Sequence, residues 1–220
     1  GIAPAWQAGD IAEIGPRNAP GEVEALLTAT GLDGEASVRL RSQPMPLREA
    51  LARSRLPRPD ELPADPQAVA DALAPLPHRE YSIASLPSDG ALELLVRQMQ
   101  RADGRPGLGS GWLCAHARIG DTVDLRIRSN AQFHPPDDDR PLLLVGNGTG
   151  IAGLRALLKA RAASDARRNW LVFGERQRAH DAFFGDEIER WPADGLLEHC
   201  DLAWSREVPA EAPVAGGFLT

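Results

Sequence analysis

The run Leu142-Leu143-Leu144-Val145-Gly146-Asn147-Gly148-Thr149-Gly150-Ile151-Ala152-Gly153 joins an apolar strand to a helix through a glycine-rich turn. Leu142 to Val145 is continuous and apolar, as expected of a buried strand in a parallel sheet, and Ile151 to Ala163 reads as helix. Glycine tolerates positive φ and close backbone approach, so free N–H groups at the helix start can point at a pyrophosphate. Gly148, Gly150 and Gly153 keep the G-x-G-x-x-G spacing in the strand-to-helix setting that this motif requires. A tight turn with no ligand would give the same glycines; the flanking strand and helix favour phosphate.

Working downstream, Asn169 to Phe173 reads as a strand, Ala179 to Trp191 as a helix and Leu197 to Trp204 as a third strand. Strand, helix, strand, helix, strand means parallel βαβ units. The middle strand ends at Phe173-Gly174-Glu175-Arg176. An acid there can accept from a ribose 2′-hydroxyl, whereas the neighbouring arginine can hold a 2′-phosphate. Ser205 and Arg206 follow the third strand with a hydroxyl and a guanidinium suited to a phosphate monoester. A solvated charged loop end explains these residues equally well.

Upstream the texture changes near Pro135 to Arg140. Residues 9–14, 37–41, 79–85, 92–99 and 121–128 read as short strands, the last alternating Val123, Leu125 and Ile127 with charged residues. Residues 21–32 carry Val23, Leu26 and Leu27 at helical spacing. Pro44 to Pro77 holds eight prolines and two short helical patches, 47–53 and 67–73. That is an insertion or connecting segment, not a region of core strands.

A second constellation lies in this strand-rich half. Arg79 and Tyr81 share one face of a strand, where a cation can meet phosphate and a ring can stack on a planar heterocycle. Twenty-odd residues on, Gly107-Leu108-Gly109-Ser110-Gly111-Trp112-Leu113 is another glycine-rich turn opening into a helical segment, with Ser110 as its expected cap. Trp112 reads as core, and Cys114 as a small buried residue with no base beside it.

Composition bounds the rest. The 220 residues are 43% hydrophobic and 25% charged, ordinary for a soluble globular protein of one large or two small domains. A formal charge of -7 and scattered arginines exclude a nucleic-acid footprint. Cys114 and Cys200 are too few for a disulfide framework, a reducing cytoplasmic setting is expected, and no His/Cys/carboxylate spacing suggests metal. No apolar run is long enough to span a bilayer.

Taken in order, Arg79-x-Tyr81-Ser82-x-x-Ser85, the 107–113 loop, Gly146-Asn147-Gly148-Thr149-Gly150-Ile151-Ala152 and Phe173-Gly174-Glu175-Arg176 resemble the ferredoxin–NADP reductase superfamily. The resemblance is to its cytochrome P450 reductase and sulfite reductase flavoprotein branch. Gly9-Asp10 and Pro16-Arg17-Asn18 look like the entry to its flavin domain, and residues 201–206 like its 2′-phosphate loop.

The resemblance implies an all-β antiparallel FAD-binding barrel over 1–136, with a shortened connecting insertion at about 42–77, and an α/β parallel-sheet NADP-binding domain over 137–220. It implies that Arg79 meets the FAD pyrophosphate, Tyr81 stacks on the isoalloxazine, and Ser82, the expected catalytic residue, sits by flavin N5. Ser85, Gly107, Gly109, Ser110 and Gly111 complete the FAD site. Gly148, Thr149 and Gly150 line the NADP(H) pyrophosphate, Glu175 and Arg176 contact the nucleotide, and Ser205 and Arg206 take its 2′-phosphate. The implied acceptor is a flavodoxin-like FMN domain, a haem protein or a sulfite reductase-type metalloprotein.

The sequence departs from the family at several points. Gly153 stands where proline is usual, and Gly216 to Thr220 occupies the segment that commonly brings a lysine, a tyrosine and a glutamine to the 2′-phosphate. Three strands are read where five are expected, so the sequence reads as a fragment, a proteolysed product or an aberrant paralogue. A binding module without turnover and a flavin-free dehydrogenase are the competing functions. An unpaired sheet edge is expected to drive association of the isolated chain. Light scattering tests this, and a stable monodisperse monomer counts against it.

Overall fold

The computed structural model describes residues 5–207, so the segment singled out at 216–220 lies outside the described residues. The chain divides into two compact units. One comprises Ile11–Tyr81 and Leu95–Ser129; the other comprises Ala5–Asp10, Ser82–Leu94 and the described residues from Asn130 on.

In the first unit, β1 (Ile11–Gly15) runs between β4 (Arg79–Ser82) and β5 (Asp124–Arg128). Antiparallel pairing sets Glu13 opposite Arg126. The Glu13 carboxylate accepts from Arg128 Nε at 2.9 Å and from Arg126 Nε at 2.5 Å, while Arg128 also reaches Glu80 on β4 at 2.8 Å. Alternation sends Ala12 and Ile14 of β1 into the core. Edge strand β5 is less covered than its alternating pattern predicts, with Leu125 exposed. Among the described residues these strands do not close into a barrel.

The proline-rich segment has the two short helices expected of it and adds a hairpin strand. β2 (Ser37–Leu40) turns through Arg41 and Ser42, both at positive φ, into β3 (Gln43–Pro46). Two left-handed residues in a two-residue loop make a type I′-like hairpin. Helices α1 (Pro20–Thr30), α2 (Leu47–Ala52) and α3 (Pro66–Ala72) pack on it, and Val23, Leu27, Val38, Leu47, Leu51 and Val69 form one buried cluster. Asn18 explains the Pro16-Arg17-Asn18 motif structurally. Its Nδ2 donates to the carbonyls of Leu51 (2.8 Å) and Ser54 (2.6 Å), at and just beyond the last turn of α2.

Residues 92–99, expected as a strand, are irregular apart from an isolated bridge of Leu94 to Ile83. Hydroxyls replace the ladder there: Glu93 N donates to Ser85 Oγ and Met99 N to Ser110 Oγ.

The second unit holds the parallel sheet β6 (Leu142–Asn147), β7 (Asn169–Glu175) and β8 (His199–Trp204), paired in that order. Helix α5 (Ile151–Ala163) links β6 to β7. The single helix expected over 179–191 is two, α6 (Arg178–Asp181) and α7 (Gly185–Ala193), broken where Phe184 takes a left-handed φ of 56°. Right-handed crossovers between strands added in one direction put their helices on one face. Leu144, Leu171 and Phe173 are buried accordingly, while Leu143 (57%), Val145 (65%) and Trp170 (43%) are exposed on the other face. The continuous apolar run of β6 is therefore buried on one side only among the described residues.

Arg161 of α5 is almost wholly buried. Its guanidinium bonds the Asn169 side chain and donates to the carbonyls of Arg140 (2.8 Å), Asp138 (3.3 Å) and Arg168 (3.4 Å). It thus ties the helix to the entries of β6 and β7. Outside, the Arg140 guanidinium hydrogen-bonds Asp138 and holds that carboxyl down to about 2. Arg161→Leu is expected to cost about 2–4 kcal/mol, because it takes the donor from the buried Asn169 amide oxygen and from the part-buried carbonyls of Asp138 and Arg140; urea unfolding monitored by tryptophan fluorescence measures it.

Candidate functional site

The glycines of the 146–153 loop serve different physical ends. A methyl on Gly146 would come 2.8 Å from Leu154 Cδ1, so this glycine lets α5 pack against β6. Gly148 opens a 3-10 turn (Gly148–Gly150) at φ 56°, a conformation side chains disfavour. At Gly150 a methyl would meet nothing within 4 Å, which leaves room beside the loop and the start of α5. At Gly153 a methyl would lie 3.2 Å from Phe133 Cε1, 3.4 Å from Ser82 Cβ and 3.5 Å from Ser82 Oγ. Gly153 therefore brings the exposed Ser82 hydroxyl against the first turn of α5, where a larger residue would press on it. Thr149 is half-buried in the same turn.

Glu175, at the end of β7, is buried, and its Oε1 lies 3.3 Å from where a Gly148 side chain would begin. Its Oε2 accepts from the N–H of Arg176 at 2.8 Å. The carboxylate thus faces the glycine loop, whereas Arg176, Ser205 and Arg206 are exposed. Ser205 N donates to Glu175 O (2.8 Å) and Arg206 N to Arg176 O (2.9 Å), so the two strand ends run side by side. The loop, Glu175, Arg176, Ser205 and Arg206 accordingly gather at the carboxyl edge of the sheet, where open α/β sheets bind ligands.

Ser85 sits differently. It is fully buried, its Oγ donates to Ala91 O at 2.8 Å and accepts from Glu93 N at 2.9 Å, and its carbonyl accepts from Trp6 Nε1. The hydroxyl closes a turn. Arg155 of α5, which sequence reasoning missed, holds the same segment: its buried guanidinium (8% exposed) donates to Ala84 O at 2.7 Å and pairs with Glu93 (2.6 Å) and Glu187 (2.7 Å). The Phe184 ring lies 4.6 Å from it. Asp10 is also buried; burial raises its pKa, but hydrogen bonds from His134 and from the Gln7 and Asn130 amides prevail and leave it below the ordinary carboxylate value.

In the first unit, Arg79, Tyr81 and the 107–111 loop meet. A methyl on Gly109 would fall 2.5 Å from Arg79 Cγ and 3.3 Å from Tyr81 Oη, and one on Gly111 2.5 Å from Pro106 Cβ. Helix α4 (Leu108–Gly111) continues into a π-helical turn, Trp112–His116. Ser110 does not cap it: the N-cap is Gly107, and Ser110 Oγ accepts from Met99 N at 3.0 Å. Trp112 is buried as expected; Cys114 is exposed, contrary to its reading. A cavity of about 80 Å³ beside Gly107 and Gly111 is walled by Arg17, Arg101 and Arg105. The Arg101 and Arg105 pair flanking the glycines was the available sequence signal for it. Burial pushes the Tyr81 phenol up, against the opposing pull of Arg79.

No protein-family model matches the chain. Curated relatives do. The sulfite reductase [NADPH] flavoprotein alpha-component of Photorhabdus laumondii is 30% identical over 252 aligned positions, covering 92% of this chain and 42% of that protein. Those of Yersinia enterocolitica (38% over 156) and Mannheimia succiniciproducens (36% over 148) cover 68% and 64% of the chain, and 26% and 25% of their own lengths. The chain spans about a quarter to two fifths of the curated relatives it matches. The Photorhabdus alignment is longer than the 220 residues available, so that relative carries segments this chain lacks.

Parallel strands around a glycine loop, an antiparallel strand bearing Arg79 and Tyr81, and this homology define a protein of the ferredoxin–NADP reductase superfamily. Within it the chain belongs to the branch of cytochrome P450 reductase and the sulfite reductase flavoproteins.

Gly109→Ala is expected to cost about 1–3 kcal/mol by overpacking Arg79. Thermal melting gives the loss. Alkaline titration of Tyr81, the sole tyrosine, should show its raised pKa falling back toward the ordinary value as the phenol loosens.

Proposed function

We propose that this chain is the FAD- and NADP(H)-binding part of a flavoprotein oxidoreductase that passes electrons to an FMN domain, a haem protein or a metal centre. The observation that carries the reading is the carboxyl edge of the parallel sheet. There the Gly148 turn, open space at Gly150, exposed Arg176, Ser205 and Arg206, and the Ser82 hydroxyl against Gly153 occur together. Homology over 92% of the chain to one protein named a sulfite reductase [NADPH] flavoprotein alpha-component, and over about two thirds of it to others of that name, supports it.

When bound, the nicotinamide supplies a hydride and the flavin accepts it and releases electrons singly. The chain's own share is binding and alignment. Residues 1–136 form the flavin domain in this reading, with its barrel and connecting insertion, and 137–220 the NADP domain. Arg79 would neutralise the FAD pyrophosphate with the backbone of Gly107, Gly109, Ser110 and Gly111, and Tyr81 would offer its ring to the isoalloxazine. Gly148, Thr149 and Gly150 would present N–H groups to the second pyrophosphate, and Glu175 and Arg176 would flank its nucleotide. Ser85, with its hydroxyl spent inside the turn, would support the site by holding the strand after Ser82. Ser82 would donate a hydrogen bond at the hydride-accepting nitrogen.

Among the described residues no helix is long and apolar enough to cross a membrane; cytoplasmic location and self-association through the free edge of β6 remain part of the proposal.

The first test is a yellow protein that releases FAD on heating and bleaches with anaerobic NADPH. Yellow protein that NADPH leaves coloured would mark a binding module instead; a colourless one, the flavin-free alternative. Ser82→Ala should then slow flavin reduction about tenfold or more, the loss of one hydrogen bond made in the transition state, while FAD content is unchanged. Equal stopped-flow rates in both proteins would sink the role of Ser82.

A further inference from the structure

Arg178 was not singled out by any motif, yet the fold lays it against the Ser205-Arg206 turn. Its guanidinium lies over the Trp204 ring, 5.3 Å from the centroid, so it stacks on the residue that immediately precedes Ser205. Its backbone N–H donates to Glu207 Oε1, on the residue that follows Arg206. Arg178 is thus fastened on both sides of the two residues to which the family resemblance gives the 2′-phosphate.

The electrostatics point the same way. Arg176, Arg178 and Arg206 are all exposed, and none has a carboxylate ion-pair partner among the described residues. The nearest acids are otherwise engaged. Glu175 faces the glycine loop and the Arg176 amide, and Glu207 accepts from the Arg178 amide. An inward Glu175 also removes the group that would have welcomed a free ribose 2′-hydroxyl. Uncompensated guanidiniums around a serine hydroxyl suit a dianionic phosphate monoester.

We infer that Arg178 is a specificity-determining residue, completing with Ser205 and Arg206 a clamp for the 2′-phosphate of a nicotinamide dinucleotide phosphate. The inference rests on the proposed function and adds a residue to it. The stacking on Trp204 keeps the planar fork preorganised beside the turn, which limits the side-chain entropy lost on binding.

Calorimetric titration of the full chain with adenosine 2′,5′-bisphosphate and with 5′-AMP tests this, because the two differ only in the 2′-phosphate. The wild type should prefer the bisphosphate. Arg178→Ala should weaken bisphosphate binding roughly tenfold, the order expected of one charge-assisted contact, and leave 5′-AMP binding unchanged. Arg178→Lys should recover part of the loss. Arg206→Ala provides the benchmark.

An Arg178→Ala chain that keeps the full bisphosphate preference while Arg206→Ala loses it overturns the inference. Equal weakening toward both nucleotides also overturns it, since that marks a role in shaping the turn. A wild type with no preference, or with no binding, refutes the dinucleotide-phosphate reading itself, a result distinct from the other two.

Discussion

The approach of α5 to β6 is the contact on which the unit holding the parallel sheet depends. At Gly146 the two come so close that a single methyl would lie 2.8 Å from Leu154. Interiors packed to crystal density leave little slack, so such an intrusion would make the Leu154 side chain move. With α5 seated there, the Gly148–Gly150 turn is fixed between strand end and helix start, and Gly153 is delivered against Ser82. The site is therefore a consequence of packing before it is a matter of ligand chemistry.

Helix α5 is buried nearly all round, which for an isolated surface helix would be anomalous. Its two buried arginines explain how that is tolerated. Arg155 turns toward Ala84, Glu93 and Glu187, and Arg161 toward the strand entries. Buried guanidiniums are costly unless their donors are matched. Here carbonyls and carboxylates from separate segments match them, so the polar contacts fix which segments assemble around an otherwise apolar helix. Lys159 adds a third link, to Asp89 at 2.8 Å.

Glycine and serine residues of similar appearance in the sequence divide into distinct roles. Ser82 is exposed beside α5, Ser85 closes a turn, and Ser110 receives the Met99 amide. Gly109 is hemmed in by Arg79 and Tyr81, whereas a methyl on Gly150 would meet nothing within 4 Å. A motif written as letters does not separate these cases, because the difference lies in which neighbours the fold supplies.

Some features were legible from local pattern because their physics is local. The apolar strand, the glycine turn, the helix after it and the βαβ order follow from periodicity and from glycine's backbone freedom, and all are present. Others were not. The β2–β3 hairpin turns on Arg41 and Ser42 at positive φ, without the glycine or asparagine that signals such a turn. Residues 92–99 form no strand beyond the Leu94 bridge, with the Glu93 and Met99 amides held by side-chain hydroxyls, and the helix expected over 179–191 broke at Phe184. By itself the sequence determined that a glycine-rich turn joins strand to helix, and it carried the family resemblance. Only the tertiary structure decided that Glu175 faces inward, that Arg155 holds the Ser82–Ser85 segment, and that Arg178 lies beside Ser205. Those outcomes depend on segments distant in sequence meeting at one sheet edge, and no local periodicity encodes such a meeting.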